Sequence, residues 1–361
     1  MSPLRGFAPI LKRDYWGLKG NALLLLVILI APISLGLAFG TIKNAIPKSA
    51  PSAVFPEFGA SAEDLRAAQA MASLFSKSSI EEQMDEDKLF REEYYFLVGV
   101  PAGFKNESND INIYMDSSMS PVSELSPYVH DMILYGLSKW YGWEPKINIV
   151  EVGRSVLPFQ YLAPGIVLLL SVAMGLIVVP FALSQDKEVL ARVLPAVPVR
   201  SFVLGKLLFA SILAFAELAV LLATQEIAGA SGSLFFFNPW FLLVLLLSSI
   251  FFTSIGISIM LLTGFGEAGK QVNAGLLALV VMFSGALYPV GFFPLLPALG
   301  DVLQTIGRSN PAYFFVILMR GFGLRGLGPG VFLDYLVLAL IFTAASVFCF
   351  AYLTWRMKKN G

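Results

Sequence analysis

The stretch SGALYPVGFFPLLPALGDVLQTIGRSNPAYFFVILMRG, residues 284–321, decides how this chain folds. It is half apolar, and Pro289, Pro294, Pro297 and Pro311 break it together with Gly285, Gly291, Gly300 and Gly307. The apolar run Val272–Leu287 leads into it, and the apolar run Phe332–Leu353 follows. A soluble fold has no use for this layout. A membrane protein uses it when the chain dips back into the bilayer between two spans. That is tolerated only where protein or a water-lined cavity satisfies the backbone. The stretch therefore predicts a polytopic membrane protein with a pathway-forming end, whose chain dips back into the bilayer between its last two spans.

Composition agrees. The chain is 57% hydrophobic and 14% charged, with mean hydropathy +0.73; soluble domains carry roughly 25% charged residues. Net charge is zero, so no nucleic-acid footprint is present. Cys349, the single cysteine, lies inside the last apolar run and reads as a small buried apolar residue; with His130 the single histidine, a His/Cys metal site is excluded.

A span needs about 20 mostly apolar residues. Six segments qualify: 20–43, 161–183, 202–227, 239–263, 271–289 and 331–354. The first is longer than a signal-peptide core and lacks a cleavage site, so it reads as retained. Arg5, Lys12, Arg13 and Lys19 precede it. Lys187, Arg192 and Arg200 lie between the second and third spans, Lys270 between the fourth and fifth, and Arg356, Lys358 and Lys359 after the sixth. The positive-inside rule then places both termini in the cytoplasm and residues 44–159 outside. Arg308, Arg320 and Arg325 run against that rule. Residues 1–19 read as an interfacial amphipathic helix, with Leu4, Phe7, Leu11, Tyr15 and Leu18 on one stripe; residues 355–361 read as a short tail.

The outside region alternates. A helix is expected over 62–75, a strand over 94–100, a strand over 111–115, a helix over 122–141 and a strand over 147–152, which makes a small α/β domain. The acidic cluster Glu81, Glu82, Asp85, Glu86, Asp87, Glu92 and Glu93 lacks the spacing of a calcium loop and reads as a solvated helix face. Gly264–Lys270 fits G-x-x-x-x-G-K, but Gln271 stands where Ser or Thr would hold Mg²⁺ and the run follows a span, so it reads as a turn. Glu217, near the middle of the third span, is a candidate lining residue of a translocation pathway. Ser249, Thr253 and Gly256 form a stripe suited to close helix packing.

Three places together resemble the permease subunits of type-2 ATP-binding-cassette exporters, in the subfamily with one span, a large outside domain and five further spans. That subfamily includes sodium-extrusion, drug and lipid exporter permeases. Asp186-Lys187-Glu188-Val189-Leu190-Ala191-Arg192-Val193-Leu194, followed by Pro198, is similar to the family's E-[KR]-G-T-L-E-R-L-L, with Glu188 and Val189 in place of Gly-Thr. Ser284-Gly285 with Pro289, then Pro294 and Pro297, then Asn310-Pro311, then Arg320-Gly321 resemble its ending S-G-x-x-x-P … N-P … R-G, which implies a re-entrant helical hairpin over 290–325 that enters from outside before the last span. Tyr95–Phe104 resembles a strand of its outside domain, although the strand that usually precedes that domain's first helix is not evident. The resemblance implies a cytoplasmic coupling helix over 185–200, in which Asp186, Glu188, Leu190, Arg192, Leu194 and Pro198 meet a separate ATPase subunit. That subunit would carry ATP and Mg²⁺. It also implies a second permease chain, a site in the cell membrane, and no covalent chemistry or bound cofactor in this chain. The alternative is an ATPase-coupled sensor or mechanotransmission subunit whose outside domain binds a partner without transport.

Overall fold

The structure, a computed structural model, describes residues 51–360 apart from 58, 74–76, 105–109, 120–125, 143, 145, 155, 157, 186–197, 228–237 and 288–299. The expected interfacial helix 1–19, the span 20–43, most of the segment 185–200 and the front of the 290–325 hairpin lie outside the described residues.

The α/β domain comprises Pro51–Pro56 (β1), Ala62–Ala72 (α1), Lys77–Ile80 (β2), Glu86–Phe90 (α2), Phe96–Val100 (β3), Ile111–Asp116 (β4), Ser126–Tyr141 (α3) and Ile147–Val152 (β5). Its sheet has the order β2-β1-β3-β4-β5; β3 and β4 are antiparallel and the other neighbours parallel. Strand side chains alternate between faces. Val54, Phe96, Val98 and Val100 point into a core shared with Ala68 and Met71 of α1 and with Ile133 and Leu137 of α3. Ala53, Phe55 and Leu97 point the other way, onto Leu89 of α2. Both faces are thus covered, which explains why β3 is apolar at every position. Ser61 starts α1 with a capping box to Asp64.

The strand missing from the sequence reading is present. β1 directly precedes α1 and pairs with both β2 and β3. Its Pro-bounded sequence hides it, yet Pro51 and Pro56 sit at its first and last positions, where proline is tolerated.

The helical part begins with Pro158–Ala173 (α4), which passes through a π-helical turn, Met174–Val178, into Val179–Gln185 (α5). Val199–Ile227 (α6), Pro239–Leu262 (α7), Glu267–Phe283 (α8), Gly300–Ser309 (α9) and Pro311–Met319 (α10) follow. A second π-helical turn, Arg320–Leu324, ends α10, and Leu333–Asn360 (α11) closes the chain. Four stretches are long and apolar enough to cross a bilayer: Gln160–Ser184, Val199–Leu221, Pro239–Leu262 and Leu333–Lys359. They coincide with the expected spans 161–183, 202–227, 239–263 and 331–354. This is the build of a polytopic, membrane-embedded helical protein carrying a small α/β domain. The segment expected to span over 271–289 is helical for 17 residues, to Phe283. The expected tail continues α11 as far as Asn360.

Helix α7 is the axis of the bundle. Of its apolar window, 67% is buried, against 33% for α6 and α11. Leu204, Leu208 and Ile212 on α6 and Ile341, Phe348 and Tyr352 on α11 are exposed and form the apolar perimeter that a lipid environment accepts. The stripe Ser249–Thr253–Gly256 meets the first π turn. A Cβ on Gly256 would lie 2.3 Å from the carbonyl oxygen of Gly175, so glycine is required for this crossing. Asn238-Pro239 and Asn310-Pro311 start α7 and α10 in the same way. Each asparagine side chain accepts from the backbone N–H two residues on, at 2.9 and 3.0 Å, and each proline takes the first helical position.

Candidate functional site

The densest polar chemistry of the described residues lies where the α/β domain meets the bundle. It starts from the end of α2. Arg91 N donates to Asp87 O, Glu92 N to Leu89 O at 3.0 Å and Glu93 N to Lys88 O at 2.9 Å. Glu92 itself has φ +58°. This is a Schellman-type helix end, and Glu92 occupies the left-handed position that usually belongs to glycine. A non-glycine residue there costs roughly 1–2 kcal/mol. The offset is in the side chain.

Arg320 donates through Nη1 to both carboxylate oxygens of Glu92, at 3.1 and 3.2 Å. Arg325 reaches Glu92 Oε1 through Nη2 at 3.3 Å. The same Nη2 lies 2.7 Å from Asp116 Oδ2, while its Nε donates to that oxygen at 2.8 Å and to Ser118 Oγ at 2.9 Å. The second Asp116 oxygen accepts from Ser118 N at 2.8 Å. Two arginines and two carboxylates thus neutralise one another, with side-chain exposures of 0–2%. The other face of the Arg320 guanidinium lies 4.0 Å above the Tyr161 ring, a cation–π contact at the start of α4. Arg320 Nη2 donates to the carbonyls of Gly285 and Ala286, at 2.8 and 3.1 Å, beyond the end of α8.

The backbone of the turn is gripped as well. Arg308 Nη2 donates to the carbonyls of Glu92 and Glu93 at 3.2 and 3.0 Å. Arg91 Nε donates to Val331 O at 2.6 Å, and its Nη1 pairs with Asp334 at 3.2 Å. Burial pushes the Glu93 carboxyl above its ordinary range, against the pull of Arg91 and Arg308. The apolar groups interlock too. Phe90 of the α/β domain belongs to the core of the bundle, while Tyr161 and Leu324 of the bundle belong to the core of the α/β domain.

Several expected site residues meet here. Arg320, Gly285 and Ser284 come together, and Ser284 Oγ accepts from Ala286 N at 3.2 Å. Asn310 and Pro311 start the helix that carries Arg320. Pro289 lies outside the described residues, as do Asp186, Glu188, Leu190, Arg192 and Leu194; Pro198 is exposed just before α6. Compared with known protein families, characterised proteins and solved structures, the chain matches none.

Glu92, Asp116, Arg325, Tyr161 and Arg308 were not singled out as site residues. A signal was available for the arginines, since Arg308, Arg320 and Arg325 break the positive-inside pattern. Their side chains are spent on the α/β domain and on helix-end carbonyls. Reading Glu92 as part of a solvated face is corrected: it is 1% exposed and lies at the centre of the network.

The bundle holds a second, sparser polar set. Glu217 is half-buried on α6, and its Oε2 is buried without a hydrogen-bond partner among the described residues. Asn273 Nδ2 donates to Gly256 O at 3.1 Å, and Ser171 pairs with Ser248 across α4 and α7 at 3.3 Å. Among the described residues no cluster of three or more His, Cys, Asp or Glu is placed to hold a metal ion.

Proposed function

We propose that this chain is the membrane permease subunit of an ATP-driven exporter of the type-2 ATP-binding-cassette kind. The observation that carries the reading is the meeting of Ser284, Gly285 and Arg320, with Asn310-Pro311 starting the helix between them. Three short motifs scattered over residues 284–321 behave as one structural unit. The unit joins the α/β domain to the bundle where the resemblance puts the outer end of the membrane region.

On this reading six spans cross the cell membrane, 20–43, 161–183, 202–227, 239–263, 271–289 and 331–354, and 290–325 re-enters from outside. Both termini and the 185–200 coupling helix are cytoplasmic. The chain contains no credible P-loop, so ATP and Mg²⁺ belong to a separate ATPase that docks on Asp186–Leu194 and Pro198. Two permease chains and two ATPases form the working unit. Closure of the ATPases shifts the bundle between two packings, a rigid-body change. Glu217 faces the pathway. The substrate class is an amphiphile, a drug or lipid, or sodium.

The test is a mild-detergent pull-down of the tagged chain from its native membrane, followed by mass spectrometry and by transport assays on reconstituted vesicles. A stoichiometric P-loop subunit with ATP-driven flux, both lost in Arg192→Glu, is the expected result. Recovery of the chain with no ATPase overturns the reading. The interlocked cores favour one second reading, a mechanotransmission subunit. It predicts ATP hydrolysis stimulated by a ligand of the α/β domain, without flux in sealed vesicles.

A further inference from the structure

We propose that the Glu92 turn is a latch through which the α/β domain and the helical bundle control each other's packing. A ligand that binds the α/β domain and favours one latch state thereby shifts the ends of α8 and α10. The latch works this way whether or not the bundle carries a substrate.

The path is contiguous and each contact in it is direct. Glu92 is held by Arg320, and the same guanidinium holds the carbonyls of Gly285 and Ala286. Ala286 is pressed against α4, since a Cβ on Gly165 would lie 1.9 Å from its carbonyl oxygen. A displacement of Glu92 must therefore be felt at α8 and α4, and a displacement at α4 must be felt at Glu92. Coupling of this kind is reciprocal by linkage.

Three observations make the joint switchable instead of permanently shut. Among the described residues the network is incompletely satisfied: Arg320 Nε, Arg325 Nη1 and Tyr161 Oη are buried without a hydrogen-bond partner there. Partly satisfied buried networks are held less firmly than complete ones. In addition, Arg320 opens a π-helical turn, a backbone form that accommodates local shifts and is frequent at functional positions. The left-handed backbone of Glu92 stores further strain that the turn releases on opening.

Hydrogen exchange on the full chain in lipid nanodiscs tests this from both ends. Glu92→Gln is expected to raise exchange about ten-fold over 91–96, 284–287 and 320–327 together, with α1 and the middle of α7 unchanged. A rise confined to 86–96 overturns the proposal. From the opposite end, Gly165→Ala is expected to raise exchange at 91–93 as well as at 284–287. If 91–93 stays unchanged while 284–287 moves, the latch does not transmit. Should Glu92→Gln loosen the whole chain, Ser118→Ala decides, since it removes one acceptor from Arg325 and no charge. About three-fold faster exchange at 91–93 and 284–287, as well as at 111–119 and 320–327, supports the latch, and any other pattern overturns it.

Discussion

Two acid–base clusters grow from one short acidic stretch, and they have opposite fates. Glu81 pairs with Lys88 at 2.7 Å on the surface, with both side chains more than a fifth exposed. Glu92, four residues after Lys88, is buried and shared between Arg320 and Arg325. The charges are the same in kind. What differs is the solvent behind them. In water such a pair gains typically 0.2–1 kcal/mol. Out of water neither partner can be removed without stranding the other, which costs about 3–5 kcal/mol. The lesson is that the burial of a pair, and not its presence, decides whether it holds a domain in place.

The largest expected effect is from Arg320→Ala, which strands Glu92 and frees the carbonyls of Gly285 and Ala286. We expect a loss of about 3–5 kcal/mol, read as a lowered unfolding midpoint in detergent. A loss under 1 kcal/mol would put this pair in the same class as Glu81–Lys88. The paired change Glu92→Met with Arg320→Met sharpens the contrast: it should cost clearly less than the sum of the two single changes, because it strands no charge. An additive double-mutant cycle contradicts that.

The backbone of Glu92 gives an intermediate test. Glu92→Gly and Glu92→Ala both lose the carboxylate, but only glycine accepts φ +58° without strain. Glu92→Gly should be the milder by roughly 1 kcal/mol, and equal midpoints would mean that the left-handed turn is not held in solution.

The smallest effect belongs to the surface pair. Burial alone pushes Glu81 up, but the hydrogen bonds from Lys88 and Tyr94 outweigh it and leave its carboxyl below the ordinary value. The bond to Glu81 holds Lys88 above its own. A lowered acid contributes stability above its unfolded value and loses it as pH falls through the lowered one. A raised base loses its contribution only as pH rises through the raised value. The cost of Glu81→Gln, about 0.2–1 kcal/mol, should therefore be flat between the ordinary values of 4.5 for Glu81 and 10.0 for Tyr94, whose hydroxyl is also raised by burial and by the bond to Glu81, and shrink outside them. Stability curves of the two proteins against pH check this; a cost that peaks outside that window contradicts it.

Much of the architecture was legible in the chain. Hydropathy located the four long helices, β4 and β5 showed themselves by alternating residues, and β3 by a short unbroken apolar run. β1 and β2 did not. The first is six residues bounded by prolines and the second is the polar KSSI, so neither carries a local strand signature. The motif ending in Arg320 was legible as a motif, but its partner was not. Glu92 and Arg320 are 228 residues apart and Glu92 and Arg325 are 233 apart, and no local pattern links them. The three arginines that break the charge pattern expected from the sequence were the readable trace of that contact. The acidic cluster was misread because Glu92 looks like its exposed neighbours until the fold closes over it.

The separation of Glu92 from Arg320 also sets a timetable for biosynthesis. A ribosome adds roughly 5–20 residues per second, so Glu92 waits about ten to fifty seconds for the arginine that neutralises it. Until then the α/β domain has emerged with an unanswered carboxylate, and Phe90 has no bundle core to enter. Nascent chains halted before residue 320 should accordingly stay open to protease between 86 and 96, and chains carried past 325 should become resistant there. Residues 320–325 thus serve as the completion signal for a domain made more than two hundred residues before them.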